Sequence, residues 1–243
     1  MMDKIERLKE IIESSNNIVF FGGAGVSTAS GIPDFRSSSG LYSSQYKSLR
    51  PEYIISHSCF IKDPNLFYTF YKEKMIFPNA KPNYAHIALA KLEKAGKLKA
   101  VITQNIDNLH QMAGSSPSKV IELHGSVYRN KCMKCKEKYD LAYVLDAQPV
   151  PYCKKCGGLV KPEVVLYEEP LNNYDIETAI NYIARCDTLI VAGTSLTVNP
   201  AAGLVQFFRG TNFVIINLSE IPYDFLATLV IKEPVDKVFE KII

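Results

Sequence analysis

Tryptophan is absent from the 243 residues, and histidine occurs only four times, so each imidazole is a scarce chemical resource. Long apolar runs are missing as well. None approaches the roughly 20 residues that a membrane-spanning helix needs. The start of the chain, Met1-Met2-Asp3-Lys4-Ile5-Glu6-Arg7, is charged and lacks the apolar core of a secretion signal. Neither charge sign dominates: the net charge of +3 is too small to indicate nucleic acid from composition alone. No nucleophile triad stands out. Ser27 has no Gly-x-Ser-x-Gly elbow around it, and the unpaired cysteines Cys59 and Cys186 sit in apolar contexts. Hydrophobic residues make up 47% of the chain, enough for a full core, and the length suits one large domain or one domain with an inserted module.

What is present begins with a grammar of short apolar runs that end in polar or glycine clusters. Ile18-Val19-Phe20-Phe21 runs into Gly22-Gly23-Ala24-Gly25, and Ala100-Val101-Ile102-Thr103 into Gln104-Asn105-Ile106-Asp107. Val120-Ile121-Glu122-Leu123 runs into His124-Gly125, and Val164-Val165-Leu166-Tyr167 into Glu168-Glu169. Thr188 to Ala192 leads to Gly193-Thr194-Ser195, and Phe213 to Ile216 leads to Asn217. Helix-length segments separate most of them. The pattern predicts an α/β fold, a Rossmann-like parallel sheet with helices on both faces. Ligands in such sheets bind beyond the carboxyl ends of the strands, where the polar clusters lie. Helices are expected over residues 3–15, with Asp3 as cap and Ile5, Leu8, Ile11 and Ile12 on one face. Further helices are expected over 51–76, interrupted near Pro64, and from Pro82-Asn83 to Lys94, closed by Gly96. The crowded aromatics Phe67, Tyr68, Phe70, Tyr71 and Phe77 read as core packing or as the lining of an apolar channel. His86 reads as a packing or capping residue. Residues 37–50 read as a mobile loop over a cofactor.

The glycine loop suits phosphate. Its glycines allow a tight turn and close approach, and the small polar residues after them suit a helix N-terminus. As a dinucleotide fingerprint it is incomplete. Thr28 stands where the third glycine belongs, and Gln45 where an acidic residue would hold a ribose. The continuation Gly31-Ile32-Pro33-Asp34-Phe35-Arg36 places a carboxylate, an aromatic ring and a guanidinium beside the phosphates, a set that hydride transfer does not require. Among the polar clusters, His124 is the natural general base near neutral pH. Asn105 and Asp107 can answer the donors and acceptor of a carboxamide such as nicotinamide.

Cys132-x-x-Cys135 and Cys153-x-x-Cys156 are separated by seventeen residues, the pattern of a four-thiolate zinc site in a reducing compartment, and Gly157-Gly158 suits the second turn. With four cysteine ligands the metal is structural. A redox Cys-x-x-Cys pair is the competing reading. Seven lysines surround the module: Lys131, Lys134, Lys136, Lys138, Lys154, Lys155 and Lys161. They either offset the thiolate charge or form a docking face for an acidic partner. A cytoplasmic location is expected.

Taken in order, Gly23 to Ser27, Gly31 to Arg36, Thr103 to His110, Leu123-His124-Gly125, the cysteine pairs, Gly193 to Leu196 and Ile216-Asn217-Leu218 resemble the sirtuin family of NAD-dependent protein lysine deacylases. The resemblance covers residues 17 to 230 and suggests a compact bacterial member with no terminal extensions. It implies a catalytic domain over 1–243, a zinc-ribbon-like module inserted at 127–161 and a helical and loop insertion at roughly 37–80. It further implies that Ala24, Thr28, Thr194, Ser195, Asn217 and Leu218 contact the phosphates, adenosine and adenine ribose of NAD, with Gly23, Gly25, Gly193 and Asp34 also among the cofactor contacts. Phe35 and Arg36 cover the reacting end, Asn105, Ile106 and Asp107 hold the nicotinamide, and Gln104 lies at the ribose. His124 and Asn105 are the implied catalytic residues. The acyl oxygen attacks the ribose carbon as nicotinamide leaves. His124 then takes a proton from a ribose hydroxyl, giving lysine, nicotinamide and O-acyl-ADP-ribose. The acylated peptide is expected to add as a strand beside Val165, Leu166 and Tyr167, with no membrane or nucleic-acid partner.

The chain departs from the family in carrying Tyr167-Glu168-Glu169 where Phe-Gly-Glu is usual. Glu168 either favours basic residues around the target lysine or points to solvent. Tyr68-Thr69-Phe70-Tyr71 stands where members preferring acidic acyl groups carry Tyr-x-x-Arg, so weak desuccinylation is expected. Two rival functions share these residues: mono-ADP-ribosylation or NAD hydrolysis at the same site, and a non-catalytic NAD-binding sensor.

Overall fold

The computed structural model describes residues 3–35, 40–42 and 45–242. Helix α1 (Lys4–Ser14) starts where the Asp3 carboxylate accepts the Ile5 N–H. It buries Ile5, Leu8, Ile11 and Ile12, each worth about 1.5–3 kcal/mol of transfer free energy. Strand β1 (Ile18–Gly22) follows, buried along its whole length. After it the chain does not enter the α-helix expected from sequence. It makes two single 3-10 turns, Ala24–Val26 and Thr28–Ser30, the second closed by Gly31 at φ +83°.

Three helices come next: α2 (Pro51–Ile54), α3 (His57–Lys62) and α4 (Pro64–Lys74). The interruption falls at Pro64, which occupies the first turn of α4 behind the capping Asp63. Helix α5 (Tyr84–Lys94) begins at Asn83, and Gly96 at φ +77° turns the chain into strand β2 (Leu98–Thr103). Short helix α6 (Leu109–Met112) leads to strand β3 (Val120–Glu122). A second sheet is then built from β4 (Gly125–Cys132), β5 (Lys138–Tyr139) and, after helix α7 (Leu141–Asp146), β6 (Val160–Val164). The chain returns through α8 (Asn173–Arg185) to β7 (Thr188–Ala192), β8 (Asn212–Ile216), β9 (Leu229–Ile231) and α9 (Val235–Glu240).

The main sheet has six parallel strands in the order β3-β2-β1-β7-β8-β9. One face packs on α1, α5 and α9, for example Leu8, Leu89 and Phe239. The other packs on α8 and the turn at Ala201–Phe207, through Ala179, Ile183, Leu204 and Val205. Chain order reverses between β1 and its neighbours β2 and β7, which opens a crevice at the carboxyl edge beside β1 and β7. The smaller sheet, order β5-β4-β6, is antiparallel.

The Val164–Tyr167 run is therefore not a strand of the parallel sheet. Only Val164 is strand residue, and it pairs with Gly125 in the antiparallel sheet. An apolar run reports burial, not sheet membership. Strand β9 escapes a pattern reading because it is three residues long. The aromatics resolve as core. Phe67, Tyr68, Phe70 and Tyr71 are fully buried, with Tyr68 donating its hydroxyl to the Val160 carbonyl and so tying α4 to β6. Only Phe77 of the set lines the crevice.

Candidate functional site

All the polar clusters read at strand ends meet in one crevice of about 830 Å³. Its floor is two backbone turns pressed together. The Gly25 N–H donates to the Gly193 carbonyl at 2.8 Å, and a Cβ on Gly25 would lie 2.7 Å from Gly193 Cα. Gly193 sits at φ +59°, where a side chain would also strike Val26 N. These glycines serve the approach of one loop to the other, as much as the approach of a ligand. Gly125 is a third glycine of this kind. Its missing side chain does not make room for a ligand, because a Cβ there would lie 1.8 Å from the Glu163 carbonyl oxygen. It makes room for strand β6.

Helix α5 holds the glycine loop from one side. Asn83 Nδ2 donates to the Val26 carbonyl at 2.8 Å and to Ser30 Oγ at 3.0 Å. His86 closes the cap by accepting the Asn83 N–H on Nδ1. Its neutral form therefore carries the proton on Nε2, 3.5 Å from Ser27 Oγ. Burial pushes His86 down to about 4, so it is neutral at pH 7. Ser27 is the hub of the next layer. It donates to Asp107 Oδ2 at 2.6 Å and accepts from Asn105 Nδ2 at 3.0 Å. The other Asp107 oxygen accepts the Leu109 N–H at 3.0 Å. Burial raises the Asp107 carboxyl, and the Ser27 bond pulls it back. The Asn105 amide also supports the Asp107 carboxylate, and both residues line the crevice where a ligand amide would sit.

His124 is held by one bond with a definite direction. Its Nδ1 lies 2.9 Å from the Gln104 carbonyl oxygen. A carbonyl only accepts, so Nδ1 bears the proton and the neutral ring keeps its lone pair on Nε2. Burial lowers its affinity for a second proton, and the Gln104 bond partly restores it. Gln104 in turn donates from Nε2 to Thr194 Oγ1 at 3.1 Å, joining the β2 end to the β7 end.

Gly23, Ala24, Gly25, Thr28, Asp34, Phe35, Gln104, Asn105, Ile106, Asp107, His124, Gly193, Thr194, Ser195, Asn217 and Leu218 all line this crevice. Arg36, and residues 37–39, 43 and 44 of the expected loop, lie outside the described residues. Val165, Leu166 and Tyr167 line the crevice too, but their edge is not open for an added strand. The Val165 N–H donates to the His124 carbonyl, that of Tyr167 to the Ile55 carbonyl and that of Leu166 to Glu169 Oε2. Elsewhere on the crevice lining, the N–H of Val198 makes no backbone hydrogen bond among the described residues, nor does that of the adjacent Thr197 or of Glu168. Glu168 adopts φ +75°, which costs an L-residue about 1 kcal/mol. Its carboxylate does not simply face water: Oε2 accepts from both the N–H (2.9 Å) and the Oγ (2.6 Å) of Ser58.

His86 has the capping role read from the sequence, but its approach to Ser27, and the bracing role of Ser27 itself, were not read there. Ser27 stood in the glycine loop and was visible as a motif residue. Nothing along the chain reports that α5 packs its first turn against that loop.

The four cysteines of the smaller module converge. Their sulfurs all lie within 4.8 Å of one another, with Cys132 to Cys156 and Cys135 to Cys153 both at 3.5 Å. Tetrahedral zinc at about 2.3 Å from each sulfur sets edges of about 3.8 Å, so the cluster fits that ion. Backbone N–H groups of Lys134 and Cys135 point at Cys132 Sγ, and the Tyr139 hydroxyl donates to Cys153 Sγ. A Cβ on Gly158 would lie 2.9 Å from Cys132 Sγ, which explains that glycine. Three of the seven lysines are already paired: Lys131 with Glu163, Lys155 with Glu137 and Lys161 with Glu169.

A family model described as the Sir2 family matches residues 23–200. The chain is 59% identical to an NAD-dependent protein deacetylase of Clostridium perfringens, over 100% of both sequences. It is 52% identical to one of Cutibacterium acnes, covering 96% of this chain and 94% of the relative. Among solved structures it is similar to a Sir2 with a p53 peptide and NAD+ (42% identity, TM-score 0.85, 99% of this chain and 97% of that one). It is also similar to Sir2Tm bound to a propionylated peptide (40% identity, TM-score 0.86, the same coverage).

Proposed function

The chain belongs to the Sir2 family, and from that premise we propose how its crevice works. The protein is an enzyme, an NAD-dependent protein lysine deacetylase. The observation that carries the mechanism is the one-directional bond of His124 to Gln104, which leaves Nε2 as a free base in the crevice. NAD supplies a ribose carbon that can part with nicotinamide in favour of the acyl oxygen. Everything else falls to side chains. Asn105 and Asp107, braced on Ser27, hold the carboxamide. The Gly25–Gly193 floor, with Thr28, Thr194, Ser195 and Asn217 around it, carries the phosphates and adenosine. His124 Nε2 accepts the ribose hydroxyl proton. Phe35 shields the reacting end from water.

The acylated peptide lies as an extended segment between Glu168–Leu171 and Thr197–Asn199. The unengaged N–H groups of these two segments support this placement, in place of the closed edge at Val165–Tyr167. The acyl group then meets Ile76, Val127, Leu141, Val164 and Leu166. No arginine lines the crevice among the described residues. Lys74 does, but it is paired with Glu73 at 2.8 Å. An acetyl-lysine peptide incubated with and without NAD and read by mass spectrometry is expected to lose acetyl only with NAD, forming O-acetyl-ADP-ribose. The succinyl peptide should be about tenfold slower or worse, because its carboxylate enters an apolar wall unpaired. Comparable rates would refute that preference. Nicotinamide release from an intact acetyl peptide would point instead to ADP-ribosyl transfer or NAD hydrolysis.

The thiolate cluster is read as a structural zinc site. Elemental analysis should find about one zinc per chain. Stripping it with a chelator under reducing conditions should lower the melting temperature and, with it, activity, because Cys132, Cys153 and Val160 form a small core around the metal. Unchanged stability after complete metal removal would refute the reading. The need for reduced thiols supports a cytoplasmic setting.

A further inference from the structure

The crevice rim carries one charge that the reaction does not use. Glu168 is exposed, lines the crevice and opens the segment assigned above to the peptide. Its neighbours are already balanced. Glu169 accepts from Lys161 at 3.0 Å and from His57 Nδ1 at 2.8 Å, and it also holds the Leu166 N–H. Glu168 has no ion pair among the described residues, because both of its donors belong to the neutral Ser58. Those bonds keep its carboxyl below the usual carboxylate range, so it is ionised wherever the enzyme is folded near neutral pH. They also fix where the charge sits. The backbone at φ +75° directs the side chain back onto the first turn of α3, and Ser58 clamps it there. A freely rotating surface glutamate would spread its charge over many positions. This one presents a fixed negative charge at the lip, at a backbone angle an L-residue adopts only against strain.

We propose that Glu168 is a specificity-determining residue, favouring acyl-lysine substrates with arginine or lysine beside the modified residue and disfavouring those flanked by aspartate or glutamate. The inference rests on the peptide-binding reading above. An exposed charge pair gives a modest gain, screened by salt. The preference for an arginine-flanked over an alanine-flanked peptide is therefore about threefold to fivefold, expressed in KM. Like-charge repulsion extends the arginine-to-glutamate ratio to about tenfold or more.

The test measures kcat and KM on three acetyl-lysine peptides that differ only in the flanking residue, arginine, alanine or glutamate, at low and at high salt. The ratio is taken within each enzyme, so a change in folding or turnover cancels. Wild type should rank arginine over alanine over glutamate, with the spread shrinking as salt rises. Glu168→Gln keeps an oxygen acceptor for Ser58 and should collapse the spread. Glu168→Lys should invert it. A wild type without charge preference, or a preference that survives in Glu168→Gln, overturns the inference while leaving the deacetylase intact. Failure to turn over even the alanine-flanked peptide would overturn the peptide-binding reading beneath it, and this inference with it.

Discussion

Replacing His124 with alanine is expected to lower deacetylation by about 10²–10⁴-fold, the usual worth of a positioned general base, while leaving the protein folded. Among the described residues the ring makes one hydrogen bond, to the Gln104 carbonyl, and it is half-buried at the mouth of the crevice, so its removal opens little of the core. The loss should appear in kcat, with NAD affinity changing less. Release of nicotinamide needs no proton from the ribose, so exchange of labelled nicotinamide into NAD should survive better than deacetylation. The pH profile gives a second check. A base works unprotonated, and burial pushes His124 below its ordinary value. The acid limb of kcat/KM should therefore fall below pH 6.5, the unperturbed histidine value. An His124→Ala enzyme that deacetylates within about threefold of wild type would remove the base from this account.

The second large effect concerns stability in acid. His110 is completely buried, neither ring nitrogen has a hydrogen-bond partner among the described residues, and its ring centroid lies 4.8 Å from that of His86. Burial drives His110 well below the ordinary value, reinforced by His86, and takes His86 to about 4. The sign follows from proton counting. Below about pH 6.5 the unfolded chain binds a proton at each histidine and the folded chain does not, so stability is full above that pH and falls as pH drops. Each histidine contributes about 1.4 kcal/mol per pH unit. The pair therefore removes nearly 3 kcal/mol per unit, and His86 alone accounts for about 3 kcal/mol by pH 4. Asp107, raised by burial, works the other way, but only below its own shifted value. Set against a total stability of about 5–15 kcal/mol, this predicts a steep loss of the urea midpoint between pH 6.5 and 4.5. Acid also competes with any metal that the four cysteines hold, so the decisive comparison is His110→Leu. That variant should show about half the wild-type histidine slope. A urea midpoint that is flat across this range, or one that falls equally in both proteins, would refute the assignment.

These two predictions draw on very different amounts of sequence information. His124 was legible because it closes an apolar run, precedes a glycine and belongs to a recognisable series of strand-end clusters. Its tautomer was not legible, since that depends on the Gln104 carbonyl, twenty residues away. The His86–His110 pair was invisible. One histidine lies in the first turn of α5 and the other in α6, and only the packing of these helices brings the rings together. Glu168 stood out as an unusual residue in its place, but the clamp that fixes its carboxylate depends on Ser58, 110 positions earlier.

Local chemistry decides what can be read along a chain. Strand alternation with helices, the cap at Asp3, the break at Pro64 and the spacing of the two cysteine pairs are short-range facts. The sequence by itself therefore determined a parallel α/β sheet with its polar residues at one edge and a four-thiolate module beside it. Tertiary structure alone decided which strands share a sheet. It moved the Val164 strand into the smaller antiparallel sheet and closed the edge at Val165–Tyr167. It also turned glycines at 25, 125 and 193 into contacts between backbones. The physical reason is the same in each case: hydrogen-bond partners and steric contacts are set by neighbours in space, and the neighbours that matter here lie from about twenty to more than a hundred residues apart.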